Sequence, residues 1–170
     1  MIEKFTFELH APKVPPGKII LVKNDLELRN HVILKLLGYL IYYEPGLKVE
    51  ISAGMHYKPD LLVPGDHTPK VWIDCGKVTL KKVESLSAKL RHTRVIFIKE
   101  TQRELETFKK LIGKKAGETG HFEYLAFEPG FIASLASALQ RTNHITLYEV
   151  MENTIGIALN DEVFESTLYH

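Results

Sequence analysis

A chain of 170 residues, 45% hydrophobic and 25% charged, has the length and balance of one globular domain with a proper core. Its formal net charge of +1 excludes a global basic field, so any contact with nucleic acid must come from a local patch. Its one cysteine, Cys75, excludes an intramolecular disulfide and a cysteine-cluster zinc site.

The chain opens with alternation. Phe5, Phe7 and Leu9 are separated by Thr6 and Glu8, the pattern of a half-buried strand, and no apolar secretory core is present. Pro12, Pro15, Pro16 and Gly17 predict a turn, and Lys18 to Lys23 predict a second strand, giving an N-terminal hairpin. Asn24 or Asp25 is placed to cap a helix from Leu26 to about Tyr43, in which Val32, Ile33, Leu36, Leu37, Leu40 and Ile41 recur at helical spacing. Lys35 interrupts this helix, which is too short to span a bilayer, and a cytoplasmic protein is the expectation. Pro45-Gly46 ends it, and Leu47 to Ile51 predict the next strand.

Pro59 to Lys77 has the form of a β-hairpin: Asp60-Leu-Leu-Val63, a loop of turn residues, then Val71-Trp-Ile-Asp-Cys75. If Leu62 faces Trp72, Asp60 lies opposite Asp74 on the same face, at the roughly 5 Å Cβ separation of directly opposed residues. Two carboxylates that close repel unless one is protonated or a cation lies between them. Asp74 is also costly inside so apolar a strand unless it is paired or metal-bound. Taken alone, Asp60 begins a strand, Glu27 complements the dipole of the first helix, His31 is a surface or core histidine, and Glu50 faces solvent.

Thr79 caps a second helix with Leu80, Val83, Leu86 and Leu90 inward. Lys81, Lys82, Lys89 and His92 lie off that stripe and form a basic edge, which Lys70, Lys77 and Arg91 could join as phosphate contacts. Arg94 to Lys99 predict a strand buried on both faces. Thr101 starts a third helix with Leu105, Phe108, Leu111 and Ile112 inward, and Gly113 to Gly120 form an exposed loop without the ending or context of a P-loop. Phe122 to Phe127 predict a strand, Pro129 a fourth helix, and Ile145 to Leu159 a closing hairpin around Met151 to Asn153. The eight histidines lack the paired spacing of a zinc site, and Cys75 fits a buried small apolar residue. The whole, residues 1–170, is predicted to be one α/β domain, a mixed sheet flanked by helices with a hairpin at each end.

The order helix, three strands, helix, strand resembles the core of the PD-(D/E)xK nuclease superfamily, with Glu27, Asp60, Asp74 and Lys77 at about the places of its acids and lysine. Over nearly its whole length the chain resembles the YaeQ family, small bacterial proteins with a PD-(D/E)xK-like, restriction-endonuclease-like fold. The carrying segments are Leu34-Lys-Leu-Leu-Gly-Tyr-Leu40, Trp72-Ile-Asp-Cys-Gly76, the Lys81-Lys82 pair and the final hairpin. Glycine stands at the lysine's place in Asp74-Cys75-Gly76, so either the strand turns at Gly76 or the working lysine is Lys81 or Lys82.

The resemblance and the acidic pair together imply a nuclease in which Asp60 and Asp74, with Glu27 or Glu50, hold one Mg²⁺ or Mn²⁺. Lys77, Lys81 or Lys82 would serve the phosphate of a DNA or RNA substrate. The alternative is a binding or regulatory protein that keeps the fold without catalysis.

Overall fold

The expected hairpin opens the chain as β1 (Glu3–Ala11) and β2 (Val14–Lys23), but its turn is tighter than the prolines suggest. Pro15, Pro16 and Gly17 lie within β2. Proline is tolerated there because β2 is an edge strand, so the missing N–H breaks no ladder on the open side. The computed structural model describes residues 1–115 and 119–170.

The first helix, α1 (Arg29–Ile41), begins three residues after the expected Leu26. The capping signals before it are used in a turn instead. The Asn24 N–H donates to Glu27 Oε2 at 2.9 Å, and Asn24 Oδ1 accepts from the Leu26 N–H at 3.2 Å. Glu27 therefore precedes the helix, and Leu28 holds the N-cap position without a side-chain cap. The strand expected over Leu47 to Ile51 shortens to β3 (Lys48–Val49), because the backbone enters the left-handed region at Glu50, with φ of 55°.

The central hairpin is formed by β4 (Leu61–Val63) and β5 (Val71–Cys75), and Leu62 faces Trp72 as expected. Thr79 caps α2 (Leu80–Lys89), its side chain accepting from the Lys82 N–H. Then come β6 (Arg94–Ile98), α3 (Gln102–Lys115), β7 (Phe122–Phe127) and α4 (Phe131–Ser137). Gly113 and Lys114, expected in a loop, are the last turn of α3; the rest of that loop lies partly outside the described residues. The closing hairpin, β8 (Thr142–Met151) and β9 (Thr154–Leu159), is extended by an unexpected strand, β10 (Glu162–Tyr169). Only Ser166 and Leu168 of β10 are buried, so its apolar alternation is weak.

Ten strands form one mixed sheet in the order β2-β1-β8-β9-β10-β7-β6-β5-β4-β3. The run β5-β6-β7 is parallel, as is β1 with β8. The overlooked β10 pairs with both β9 and β7 and joins the two halves of the sheet. Because α1 packs on β2 near one edge and on β4 and β5 near the other, the sheet curls round it into a large, nearly closed, barrel-like surface. The main core fills that concave side, with Leu61, Ile73, Cys75, Ile96 and Ile98 facing α1. The alternate residues Leu62, Trp72, Val95 and Phe97 face outward beneath α2 and α3. These elements establish a mixed α/β architecture with four helices among the described residues; a restriction-endonuclease-like core is a narrower statement than this topology makes. No helix among the described residues is long and apolar enough to cross a membrane.

Candidate metal and acid–base site

Asp60 stands one residue before β4 and remains in the ladder, its N–H donating to the Ile73 carbonyl at 3.0 Å. Register thus brings its backbone level with Asp74, but the two side chains serve different neighbours. Asp60 Oδ2 accepts from the Cys75 N–H at 2.8 Å and lies 3.3 Å from His31 Nε2 on α1. Asp74 follows Trp72 onto the outer face, where it is 2% exposed. Its Oδ2 accepts from the Trp72 indole at 2.8 Å and its Oδ1 from Lys82 Nζ at 2.8 Å.

The other nitrogen of His31, Nδ1, lies 2.7 Å from Glu27 Oε1. The imidazole is therefore held between two carboxylates. Glu27, His31 and Asp60 each offer a ligand atom, and these atoms lie within 4.8 Å of one another. Beside them Lys35, fully buried, donates from Nζ to the Val22 carbonyl at 3.0 Å, to Glu27 at 3.5 Å and to Glu50. The three carboxylates Glu27, Glu50 and Asp60 line a cleft of about 270 Å³ together with Val22, Asn24, Lys58 and Pro59, with His31 and Lys35 behind them.

The charges reinforce one another. Burial pushes the His31 imidazole towards the neutral form, but the hydrogen bond to Asp60 and the charges of Asp60 and Glu27 outweigh it and raise its pKa. Burial likewise pushes Asp60 up, and the bond and charge of His31 with the Cys75 N–H pull it below the ordinary carboxylate range. Glu27 is pushed up by burial and brought lower by the Asn24 N–H, Lys35 and His31. Asp74 differs: its burial and the nearby negative charge of Asp60 outweigh Lys82 and the Trp72 indole, and its pKa is raised.

Of the residues singled out from sequence, the fold unites Glu27 with Asp60 and, separately, Asp74 with Lys82. Gly76 does turn the chain, with φ of 75°, and Lys77 after it is exposed, as is Lys81. Glu50 joins the cluster through Lys35. His31, read from sequence as a surface or core histidine, and Lys35, read as a charge interrupting the helix, complete the cluster; Glu27, His31 and Lys35 recur at four-residue spacing, which points to a shared face but not to what it meets. A further lysine, Lys99, directly follows β6 on the Asp74 side, where burial lowers its pKa to about 8 and its ammonium donates to the Gly76 carbonyl.

Together these features define a mixed α/β protein whose curled sheet encloses a helix and carries an acid–imidazole–ammonium cluster at its mouth. The chain belongs to the YaeQ family, whose model, described as YaeQ protein, matches residues 23–168. The YaeQ protein from Xanthomonas axonopodis pv. citri shares the fold with a TM-score of 0.78 at 14% identity, over 98% of this chain and 95% of that one. The YaeQ protein from Pseudomonas syringae does so with a TM-score of 0.75 at 17% identity, over 98% of this chain and 93% of that one. No curated protein matches the chain.

Proposed function

We propose that this YaeQ-family chain is a metal-dependent phosphodiester hydrolase of PD-(D/E)xK nuclease ancestry, acting on DNA or RNA with one Mg²⁺ or Mn²⁺. The observation that supports it is the convergence of Glu27, His31 and Asp60, three ligand atoms within 4.8 Å of one another, with the two carboxylates lining a cleft. Two carboxylate oxygens and an imidazole suit Mn²⁺ at least as well as Mg²⁺. When bound, the cation would supply a water of lowered pKa and offset negative charge on the phosphate. His31 must give up its shared proton to become a ligand, and Lys35 balances the charge of Glu27 and Glu50. Lys82, and beyond it Lys81 and Lys77, would face the substrate phosphate, with Asp74 holding the Lys82 ammonium in place.

Calorimetric titration of Mn²⁺ into wild type, Asp60→Asn and Asp74→Asn, followed by incubation with labelled DNA and RNA, tests this reading. Metal binding is expected to disappear in Asp60→Asn and persist in Asp74→Asn, with cleavage lost in both. Cleavage that survives Asp60→Asn rejects the assigned role.

One observation favours a second reading. Both oxygens of Asp74 are engaged by Trp72 and Lys82, and glycine occupies the lysine's place at Gly76. A non-catalytic binding or regulatory protein fits that closed arrangement, and it predicts nucleic-acid binding without hydrolysis and without a metal requirement.

A further inference from the structure

The net charge of +1 conceals a division. Residues 77–115, which supply α2, β6 and α3, carry twelve Lys and Arg against four Glu. This stretch is therefore +8, and the remainder of the chain carries the balancing −7. The two helices pack together over the outer face of the sheet; Lys82 pairs with Asp74, Arg94 with Glu123 and Lys99 is buried, and the other cations of the stretch still outnumber its acids. Their inward positions are apolar: Val83 and Leu86 on α2, Leu105, Phe108 and Ile112 on α3. Their outward positions present Lys81, Lys89, Arg103, Lys110 and Lys114, with Arg91 just after α2, all exposed. None of these six takes part in an ion pair among the described residues. Glu84, Glu104 and Glu106 are interspersed on the same helices and leave the excess positive.

From this segregation we infer that the outer α2–α3 face binds nucleic acid along the phosphate backbone, independently of any metal. Arg103 and Lys114 are separated by about 16 Å along the axis of α3, the length of roughly five nucleotides of one strand. Repeated, unpaired cations at that scale suit a repeating polyanion. An acidic protein is the weaker fit, since stable protein interfaces are anchored by apolar and aromatic side chains. On this layer Leu111 is the only large hydrophobic residue, among those described, that is exposed; Leu26, Leu28, Ile20 and Tyr148 lie elsewhere. The inference shares its ligand class with the proposed function but needs neither the Glu27–His31–Asp60 cluster nor hydrolysis.

Fluorescence anisotropy with a labelled DNA duplex and the matching single strand, in a chelator, tests it. Binding should weaken steeply with salt, about a thousandfold for a fourfold rise if five to six phosphates are contacted. The variant Lys89→Gln/Arg103→Gln/Lys110→Gln/Lys114→Gln, which spares the lysines proposed to serve the metal site, should bind at least about tenfold more weakly at low salt, with a slope shallower by about three. A control that removes four exposed lysines from elsewhere, Lys4→Gln/Lys13→Gln/Lys18→Gln/Lys48→Gln, should bind as wild type does. Equal losses in the two variants would make binding a matter of net charge and overturn the assignment, as would undiminished binding by the first. Equal affinity for polyglutamate of matched charge would overturn the choice of nucleic acid. Metal titration of wild type and of the first variant separates the two readings: Mn²⁺ bound by both with DNA binding lost only in the variant supports both, and DNA binding lost only in the variant with no metal bound by either protein supports the face alone.

Discussion

At the scale of single residues, the side chains decide what backbone register only prepares. Leu62 faces Trp72, so the opposition of Asp60 and Asp74 was legible in the sequence. Lys82 is among the lysines that the sequence offers for Asp74, but the docking of His31 against Asp60 was not legible, because sequence spacing cannot place a helix against a strand. Asp60 turns to His31 and Asp74 to Lys82, and the two environments make different predictions. The raised pKa of His31 means that its contribution to stability is full below the ordinary imidazole value of about 6.5 and is lost as pH rises through the folded value. Glu27 and Asp60, lowered, contribute above the ordinary carboxylate range and lose their contribution as pH falls through their folded values. His31→Gln should therefore depress Tm more at pH 6 than at pH 9; equal depression at both would show that the imidazolium adds nothing. For Asp74 the asymmetry lies between the partners. Lys82→Met leaves a buried carboxylate with only the indole, at a cost on the order of 3 kcal/mol. Asp74→Asn frees an ammonium that is 17% exposed and still near the Lys58 carbonyl, which should cost about 1 kcal/mol or less. Urea unfolding at pH 7 measures both, and equal losses would contradict the account.

At the scale of elements, helices and most strands followed from period and punctuation, whereas the exceptions have local causes. Glu50 ends β3 by its backbone conformation, and Asn24 spends its capping group on a turn, neither of which an apolar pattern reveals. Glycine shows how tertiary contact overrides propensity. Gly38 on α1 and Gly113 on α3 are both helical, and intrinsic propensity favours alanine at each by about 1 kcal/mol. A Cβ at Gly38 would meet Ile98 Cδ1 and Leu61 Cδ1 at 2.9 Å each, in the core beneath α1. A Cβ at Gly113 would meet nothing within 4 Å. Gly113→Ala is thus expected to stabilise by about 0.5–1 kcal/mol, and Gly38→Ala to destabilise by about 1–3 kcal/mol through overpacking. Thermal unfolding of the two variants checks this; a stabilising Gly38→Ala would mean that α1 has room to move from the sheet.

At the scale of the whole molecule, a sheet that curls round α1 has two open edges, and Lys35 lies between them. From the middle of the helix its ammonium reaches Val22 on the edge strand β2 and Glu50 beside the opposite edge strand β3, with Glu27 between. In sequence it was merely a charge breaking an apolar helix; its reach could not be seen because no pattern brings strands so remote in the order to one helix. Glu27 is also met by His31 and the Asn24 N–H, whereas the Glu50 carboxylate meets only this ammonium among the described residues. Lys35→Met would leave Glu27 and Glu50 facing each other in a partly buried site, at a cost of about 3–5 kcal/mol. Removing the acid as well, in Lys35→Met/Glu50→Leu, should recover most of the loss, because the penalty belongs to the uncompensated charge rather than to a missing contact. The same reasoning makes the single variant responsive to a substitute cation: Mn²⁺ should raise its Tm by more than it raises that of wild type, since a divalent ion can occupy the oxygens that the ammonium has vacated. A double variant as unstable as the single one, together with no differential effect of Mn²⁺, would assign the loss to packing and remove Lys35 from the electrostatics of the site.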